Sequence, residues 1–99
     1  MNQKYRISSE AFTDLENIWE YTFDTWSEEQ ANRYYSLIVE EIEYIATHFE
    51  EGRDMNHIKK GYMASKVKSH IIFYKLGPDK IIEIIRILHQ MMDIENKLK

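Results

Sequence analysis

The sequence of 99 residues has no cysteine, one proline, three glycines and no long apolar run. Without cysteine the chain can form no disulfide framework and offers no thiolate chemistry, which fits a reducing compartment. A membrane-spanning helix needs roughly 18 apolar residues in a row, and the N-terminus leads into no signal-peptide core. We therefore expect a cytoplasmic protein that does not associate with membranes.

Metal and phosphate sites also lack support in the sequence. The four histidines, His48, His57, His70 and His89, are scattered and show no spacing typical of metal ligands. Three isolated glycines cannot form a glycine-rich phosphate loop. We therefore predict neither a metal ion nor a cofactor.

Charge is distributed unevenly along a chain whose length predicts a single domain over residues 1–99. Residues 1–54 contain four Lys and Arg against thirteen Asp and Glu, a net charge of −9. Residues 55–99 contain nine against four, a net charge of +5. A basic segment can attract nucleic acid or an acidic partner, whereas solvated acidic helix faces are common in proteins of any function. The charge pattern alone therefore leaves the partner open.

Apolar residues recur at steps of three and four through most of the acidic half. This periodicity predicts two amphipathic helices, over about 9–25 and 28–48, with Ser27 capping the amide of Gln30 at the start of the second helix. Because only a couple of residues separate the two helices, they are expected to form an antiparallel hairpin.

Beyond residue 60 the pattern changes to short runs rich in Ile, Val, Tyr and Phe, which are typical of strands. Gly77-Pro78-Asp79 has the composition of a tight turn, and Asp93 is placed to cap a short final helix that ends near Leu98. The predicted fold is α+β in the order βααβββ: a helical hairpin packed on a small, mainly antiparallel sheet, followed by a short C-terminal helix. The strands are predicted at 4–8, 61–68, 70–76 and 80–88, with a loop at 50–60.

The last strand is apolar on both faces, although an antiparallel sheet usually leaves one face in water. Alternation predicts Ile81, Ile85 and Ile87 on one face, and Ile82, Ile84 and Leu88 on the other. The helical hairpin can cover only one of these faces. A partner is the favoured cover for the second face, with the C-terminal segment and a second copy as alternatives.

Arg86 and His89 lie three residues apart at the end of the last strand. Arg86 falls among isoleucines, which is an unusual environment for a charged group. The two side chains could contact a phosphate or carboxylate, or stabilise a transition state with His89 as the proton carrier. Alternatively, Arg86 pairs with an acidic residue of the hairpin and joins the sheet to it, and physical considerations favour this second interpretation.

The chain from about Tyr5 to Asp93 resembles the ParE branch of the RelE/ParE toxin superfamily. The resemblance is carried by Ile7-Ser8, Asp14-Leu15, Ile18-Trp19-Glu20-Tyr21, Gly52-Arg53, Gly61-Tyr62, His70-Ile71-Ile72-Phe73-Tyr74 and Arg86-Ile87-Leu88-His89-Gln90. Each motif is weak alone, whereas the ordered set is specific and agrees with the βααβββ prediction.

The resemblance implies the toxin component of a type II toxin–antitoxin system, a class linked to plasmid stabilisation and growth inhibition. Members of this branch are typically not enzymes: they poison DNA gyrase by binding, and a cognate antitoxin, expected to be of the ribbon-helix-helix DNA-binding type, neutralises them. No direct sequence-specific nucleic-acid binding is expected of the toxin. Target binding is assigned to Arg86, His89, Gln90, Met91, Met92 and Asp93, and antitoxin binding to the hairpin aromatics Trp19, Phe23, Trp26 and Tyr34.

The resemblance leaves two alternatives and shows one departure. The chain could be a ribosome-dependent mRNA endonuclease of the RelE type, or an inactive homologue that only binds its antitoxin. The catalytic residues of a nuclease would be Arg86, His89, Lys66 and Lys68. The departure is that Met63 and Met91 stand where the family often has basic residues, which weakens a basic target-binding patch.

Overall fold

The computed structural model describes residues 5–98, in which a five-stranded sheet carries a helical hairpin on one face and a short helix on the other. The predicted α+β order is confirmed, with one addition, a two-residue strand inside the predicted loop 50–60. Lys4, the first residue of the predicted N-terminal strand, lies outside the described residues. The elements are β1 (Tyr5–Ile7), α1 (Ser9–Thr25), α2 (Glu28–Thr47), a 3-10 turn (Phe49–Glu51), β2 (Arg53–Asp54), β3 (Met63–Val67), β4 (His70–Leu76), β5 (Ile82–His89) and α3 (Ile94–Leu98).

Both long helices begin at serine caps. The Ser8 Oγ accepts a hydrogen bond from the Ala11 amide at 3.0 Å, and the Ser27 Oγ accepts one from the Gln30 amide at 3.1 Å. Each cap satisfies an amide that has no partner within the helix, which sets the starting residue. The predicted bounds are therefore confirmed for α1, and α2 ends one residue earlier than expected.

The sheet has the strand order β1-β5-β4-β3-β2. Strands β2 to β5 pair antiparallel with their neighbours, whereas β1 runs parallel to β5. β3 begins two residues later than predicted because Gly61, with φ +85, belongs to a turn. β5 likewise begins two residues later because Lys80, with φ +66, closes the turn that follows β4.

A β-bulge in β5 changes which side chains face the hairpin. Phe73 pairs with Arg86 and Tyr74 pairs with Ile84, so Ile85 is an extra residue without a partner on β4. The extra residue inverts the alternation beyond it. The predicted faces are therefore wrong at their ends, because Ile87 packs with the hairpin-side core and Leu88 packs on the opposite face.

The two sheet faces have separate cores. We call the hairpin side the inner face and the opposite side the outer face. The inner core includes Leu15, Ile38, Ile42, Ile45, Ile72, Tyr74, Ile82, Ile84 and Ile87. The outer core consists of Met55, Tyr62, Ala64, Phe73, Leu88 and Leu98.

The chain covers the outer face of the sheet itself. The segment 55–62 and helix α3 lie over this face, and Leu98 is 4% exposed there. The favoured expectation that a partner covers the second apolar face was therefore wrong, and the C-terminal alternative, aided by segment 55–62, is correct. None of the helices within residues 5–98 is long and apolar enough to cross a membrane.

Candidate functional site

Arg86 joins β5 to α1 through a partly buried ion pair with Asp14. The guanidinium donates from Nε to Asp14 Oδ2 at 2.8 Å and from Nη2 to Asp14 Oδ1 at 3.0 Å, and the Ile87 amide donates to the same carboxylate at 3.0 Å. The side chains of Arg86 and Asp14 are 18% and 12% exposed. These hydrogen bonds, which the Asp14 carboxylate accepts, raise the pKa of Arg86. The predicted pairing with an acidic hairpin residue is present, and Arg86 is part of the scaffold.

Two histidines lie side by side where β4 begins and β5 ends. The rings of His70 and His89 are 5.2 Å apart, edge to face. The His89 Nδ1 accepts a hydrogen bond from the Met91 amide at 3.1 Å, which requires this nitrogen to carry no proton. Burial, together with the neighbouring His89, lowers the pKa of His70 to about 4, so its ring is uncharged at neutral pH.

The segment after β5 turns out toward solvent. Its backbone is held by the Gln90 amide, which donates to the Ser69 carbonyl at 2.8 Å, and by the Met92 amide, which donates to the His89 carbonyl at 3.0 Å. Met91 is 82% exposed and Met92 is 46% exposed. The Asp93 carboxylate accepts from the Asn96 amide at the start of α3. Of the six residues predicted to bind the target, the structure brings His89, Gln90, Met91 and Met92 together on the surface, whereas Arg86 and Asp93 have structural contacts.

The four predicted antitoxin residues differ in exposure and in their contacts. Trp19 stacks on Phe23 with ring centroids 5.2 Å apart, and its Nε1 donates to Asn32 of α2 at 2.9 Å. Tyr34 packs against the inner core and shares a 2.6 Å hydrogen bond with His70. Phe23 and Trp26 are the exposed members, at 44% and 74%.

An open cleft of about 940 Å³ connects the two predicted sites. It lies between the hairpin and the end of the sheet, and most of its exposed lining is apolar. Trp26 and Tyr34 line it from the hairpin, while His89 and Met92 line it from β5 and the turn that follows. His70 also lines the cleft, and its place was not predicted because an isolated histidine carries no sequence signal of its surroundings.

The residues of the nuclease alternative are not brought together. Lys66 pairs with Ile71 on the outer face, whereas Lys68 lines the cleft on the other side of the sheet. Arg86 is occupied by Asp14. Within residues 5–98, no group of three His, Asp or Glu side chains is placed to hold a metal ion.

Comparison with known proteins agrees with this architecture. A family described as "ParE toxin of type II toxin-antitoxin system, parDE" matches residues 5–94. The curated "Toxin ParE1" of Caulobacter vibrioides is 39% identical over 89 residues, covering 90% of this chain and 91% of the relative. "Toxin ParE1" of Mycobacterium tuberculosis is 34% identical over 98 residues, covering 99% and 100%.

A solved structure shares the fold. It is described as "Chromosomal ParDE TA system from P. aeruginosa", has a TM-score of 0.77 and 18% identity, and the match covers 88% of this chain and 95% of that one. The family match spans nearly the whole chain, and the curated relatives match over nearly their full length. The chain therefore belongs to the ParE toxin family and is a toxin of a type II toxin–antitoxin system of the ParDE kind.

Proposed function

We propose that this toxin acts by binding DNA gyrase through His89, Gln90, Met91 and Met92, without catalysing a reaction. The observation that carries the proposal is the sequestered guanidinium of Arg86, whose Nε and Nη2 are both bonded to Asp14. A nuclease needs a cationic group free to stabilise a phosphate in the transition state. An arginine already paired with a carboxylate does not supply one.

The surroundings of His89 also favour binding over catalysis. A nuclease needs its cationic and acid–base side chains within reach of the same phosphate. Lys66 lies on the outer face of the sheet, whereas His89 lines the cleft on the other side. By contrast, exposed methionines beside a cleft are typical of protein-binding surfaces, because their flexible apolar side chains adapt to a partner.

Replacing Met92 with glutamine is expected to weaken gyrase inhibition about tenfold or more, since central apolar contacts dominate protein interfaces. Leu76 supplies a matched control: it is also 46% exposed, but it lies at the opposite end of β4 and β5. Leu76→Gln should keep full activity. The measurement is inhibition of supercoiling by purified toxin, together with accumulation of cleaved DNA–gyrase complexes.

Three results would count against this proposal. Equal potency of Met92→Gln and the unaltered toxin would place the target contact elsewhere. Ribosome-dependent cleavage of transcripts during growth arrest would favour the endonuclease. Harmless expression of the folded chain without an antitoxin would favour an inactive homologue.

We further propose that the cognate antitoxin, of the ribbon-helix-helix type, neutralises the toxin by occupying the cleft. The cleft is lined by Trp26 and Tyr34 and also by His89 and Met92, so an occupant would cover part of the proposed target surface. Its predominantly apolar lining fits the apolar face of an amphipathic segment. The hairpin as a whole carries ten Asp and Glu against one Arg, so its electrostatic field would steer a basic antitoxin segment toward it during approach.

Trp26→Ala is expected to weaken antitoxin binding by about 2 kcal/mol, or about 30-fold, because exposed tryptophans that become buried are frequent hot spots. Phe12→Ala is the control, since Phe12 is also exposed, at 51%, but lies near the other end of α1. Calorimetric titration with the cognate antitoxin measures both affinities. A larger loss for Phe12→Ala than for Trp26→Ala would contradict the assignment of the cleft.

A further inference from the structure

The sheet separates the charges of this protein. Helices α1 and α2, on the inner face, contain ten Asp and Glu and a single arginine, Arg33. All the lysines within residues 5–98 lie between Lys59 and Lys97, in the segments that form and cover the sheet. The hairpin side of the molecule is therefore strongly acidic, and the lysines lie in the segments that form or cover the sheet.

Four cations lie on or beside the outer core. Arg53 pairs with Ala64 and Lys66 pairs with Ile71, and both of these partners belong to the outer face. The Nζ atoms of Lys59 and Lys75 lie 5.5 Å and 5.9 Å from the centroid of the same Tyr62 ring. The four cations of the outer face are Arg53, Lys59, Lys66 and Lys75.

Two of these ammonium groups are held in place. The Lys59 Nζ donates to the Leu98 carbonyl at 3.1 Å, and the shared Tyr62 ring is only 7% exposed. An ammonium beside an aromatic ring gains a cation–π attraction, which reduces the entropy that remains to be lost on binding an anion. Lys59 and Lys75 are therefore preorganised beside a fixed ring.

Three of these four cations form no ion pair within the described part of the chain. Among residues 5–98, no described carboxylate forms an ion pair with Arg53, Lys59 or Lys66. Lys75 is 3.8 Å from Glu83, but that carboxylate also accepts a 2.9 Å hydrogen bond from Arg6. Uncompensated cations spread over a surface are suited to a ligand that carries regularly spaced negative charges.

We propose that the outer face binds the phosphate backbone of duplex DNA without reading its sequence. Strand geometry places the Cα atoms of Lys66 and Lys75 about 14 Å apart, a span that covers several phosphates of a duplex. The acidic hairpin then points away from the DNA, and the cleft stays open. This inference goes beyond gyrase binding, because it requires contact with DNA by the toxin alone.

The test is fluorescence anisotropy of a labelled duplex of about 20 base pairs titrated with purified toxin, from about 20 mM to about 200 mM NaCl. The affinity should fall steeply with salt, with a slope of log K against log salt near −3 for three to four phosphate contacts. In the variant Arg53→Gln/Lys66→Gln the slope should lose about 2, one for each contact removed.

Lys68→Gln/Lys80→Gln is the matched control, because it removes the same charge from the other side. Lys68 lines the cleft, and Lys80 lies beside the end of α2. This variant should retain the slope of the unaltered toxin. Thermal unfolding of both variants verifies that they are folded.

Several outcomes would overturn the proposal. The first is an equal loss in the two double variants, because only net charge would then matter. The second is no binding at the lowest salt concentration. The third is binding of single-stranded RNA but not of duplex DNA, which would assign the face to another ligand. None of these results bears on gyrase inhibition, so the two proposals fail separately.

Discussion

Replacing Gly52 with alanine is expected to lower the free energy of unfolding by about 3 to 5 kcal/mol. A Cβ atom at this position would lie 1.7 Å from the Tyr74 Oη and 2.7 Å from its Cζ. Tyr74 is fully buried, and its hydroxyl donates to the Phe49 carbonyl at 3.1 Å. The ring cannot move aside without losing its packing and this hydrogen bond. Urea denaturation followed by fluorescence measures the loss.

Gly61 provides the comparison, because it needs glycine for a different reason. No atom lies within 4 Å of a Cβ built there, but φ is +85, so Gly61→Ala should cost only about 1 kcal/mol of backbone strain. In a Tyr74→Phe background, Gly52→Ala should cost clearly less than in the unaltered chain, since the nearest clashing atom is gone. Equal losses for Gly52→Ala and Gly61→Ala would show that close approach to Tyr74 is not what requires Gly52.

Asp14→Ala is expected to destabilise the protein by about 3 kcal/mol, because it leaves a largely buried guanidinium and the Ile87 amide without their acceptor. Asp14 accepts three hydrogen bonds, two from Arg86 and one from Ile87. Stabilities of natural domains are typically about 5 to 15 kcal/mol, so this is a large fraction of the total. Chemical denaturation at neutral pH measures it.

Glu10 is the control for this second prediction. Its carboxylate lies 3.6 Å from the Arg86 Nη1 but is 74% exposed, so Glu10→Gln should cost less than about 1 kcal/mol. The joint replacement Asp14→Leu/Arg86→Met should recover much of the stability, since apolar pairs of similar volume often replace buried ion pairs well. The prediction is wrong if Asp14→Ala is as mild as Glu10→Gln.

These contacts affect how loss of toxicity in variants is interpreted. Arg86 is bonded to Asp14 and is mostly buried. If an Arg86→Ala variant is not toxic, the cause could be unfolding, so its stability must be measured before the loss is assigned to a target contact. Met92 is exposed and contributes to neither apolar core, so its substitution tests a surface contact more directly. Substitutions of Asp93 also need a stability measurement, because its carboxylate caps α3.

The helices could be predicted closely because their signals are local. Ser8 and Ser27 cap amides only three residues away, and the apolar period is set within each helix. The pairing of Arg86 with an acidic hairpin residue also followed from a local fact, a charge among isoleucines. Which carboxylate would be its partner did not follow, because Asp14 lies 72 residues away along the chain.

The faces of the sheet could not be predicted from alternation, because one inserted residue changes the alternation beyond it. The extra residue Ile85 is stabilised by tertiary contacts: the Ser8 hydroxyl donates to its carbonyl at 2.8 Å. Cover of the outer face by Leu98 and segment 55–62 depends in the same way on contacts distant in sequence. The cleft is a further consequence, since Trp26 and Met92 meet only when the hairpin is packed on the sheet.

The α+β class, the bounds of α1, the family resemblance and the amounts of charge, −9 in residues 1–54 and +5 in residues 55–99, all follow from the sequence alone. The positions of those charges in space depend on how the chain folds. Lys66 and Lys68 are two residues apart, yet one is on the outer face and the other lines the cleft, because the chain reverses between β3 and β4. The net charge of a segment depends only on its composition, whereas the sheet face on which a side chain lies depends on register, bulges and chain reversal.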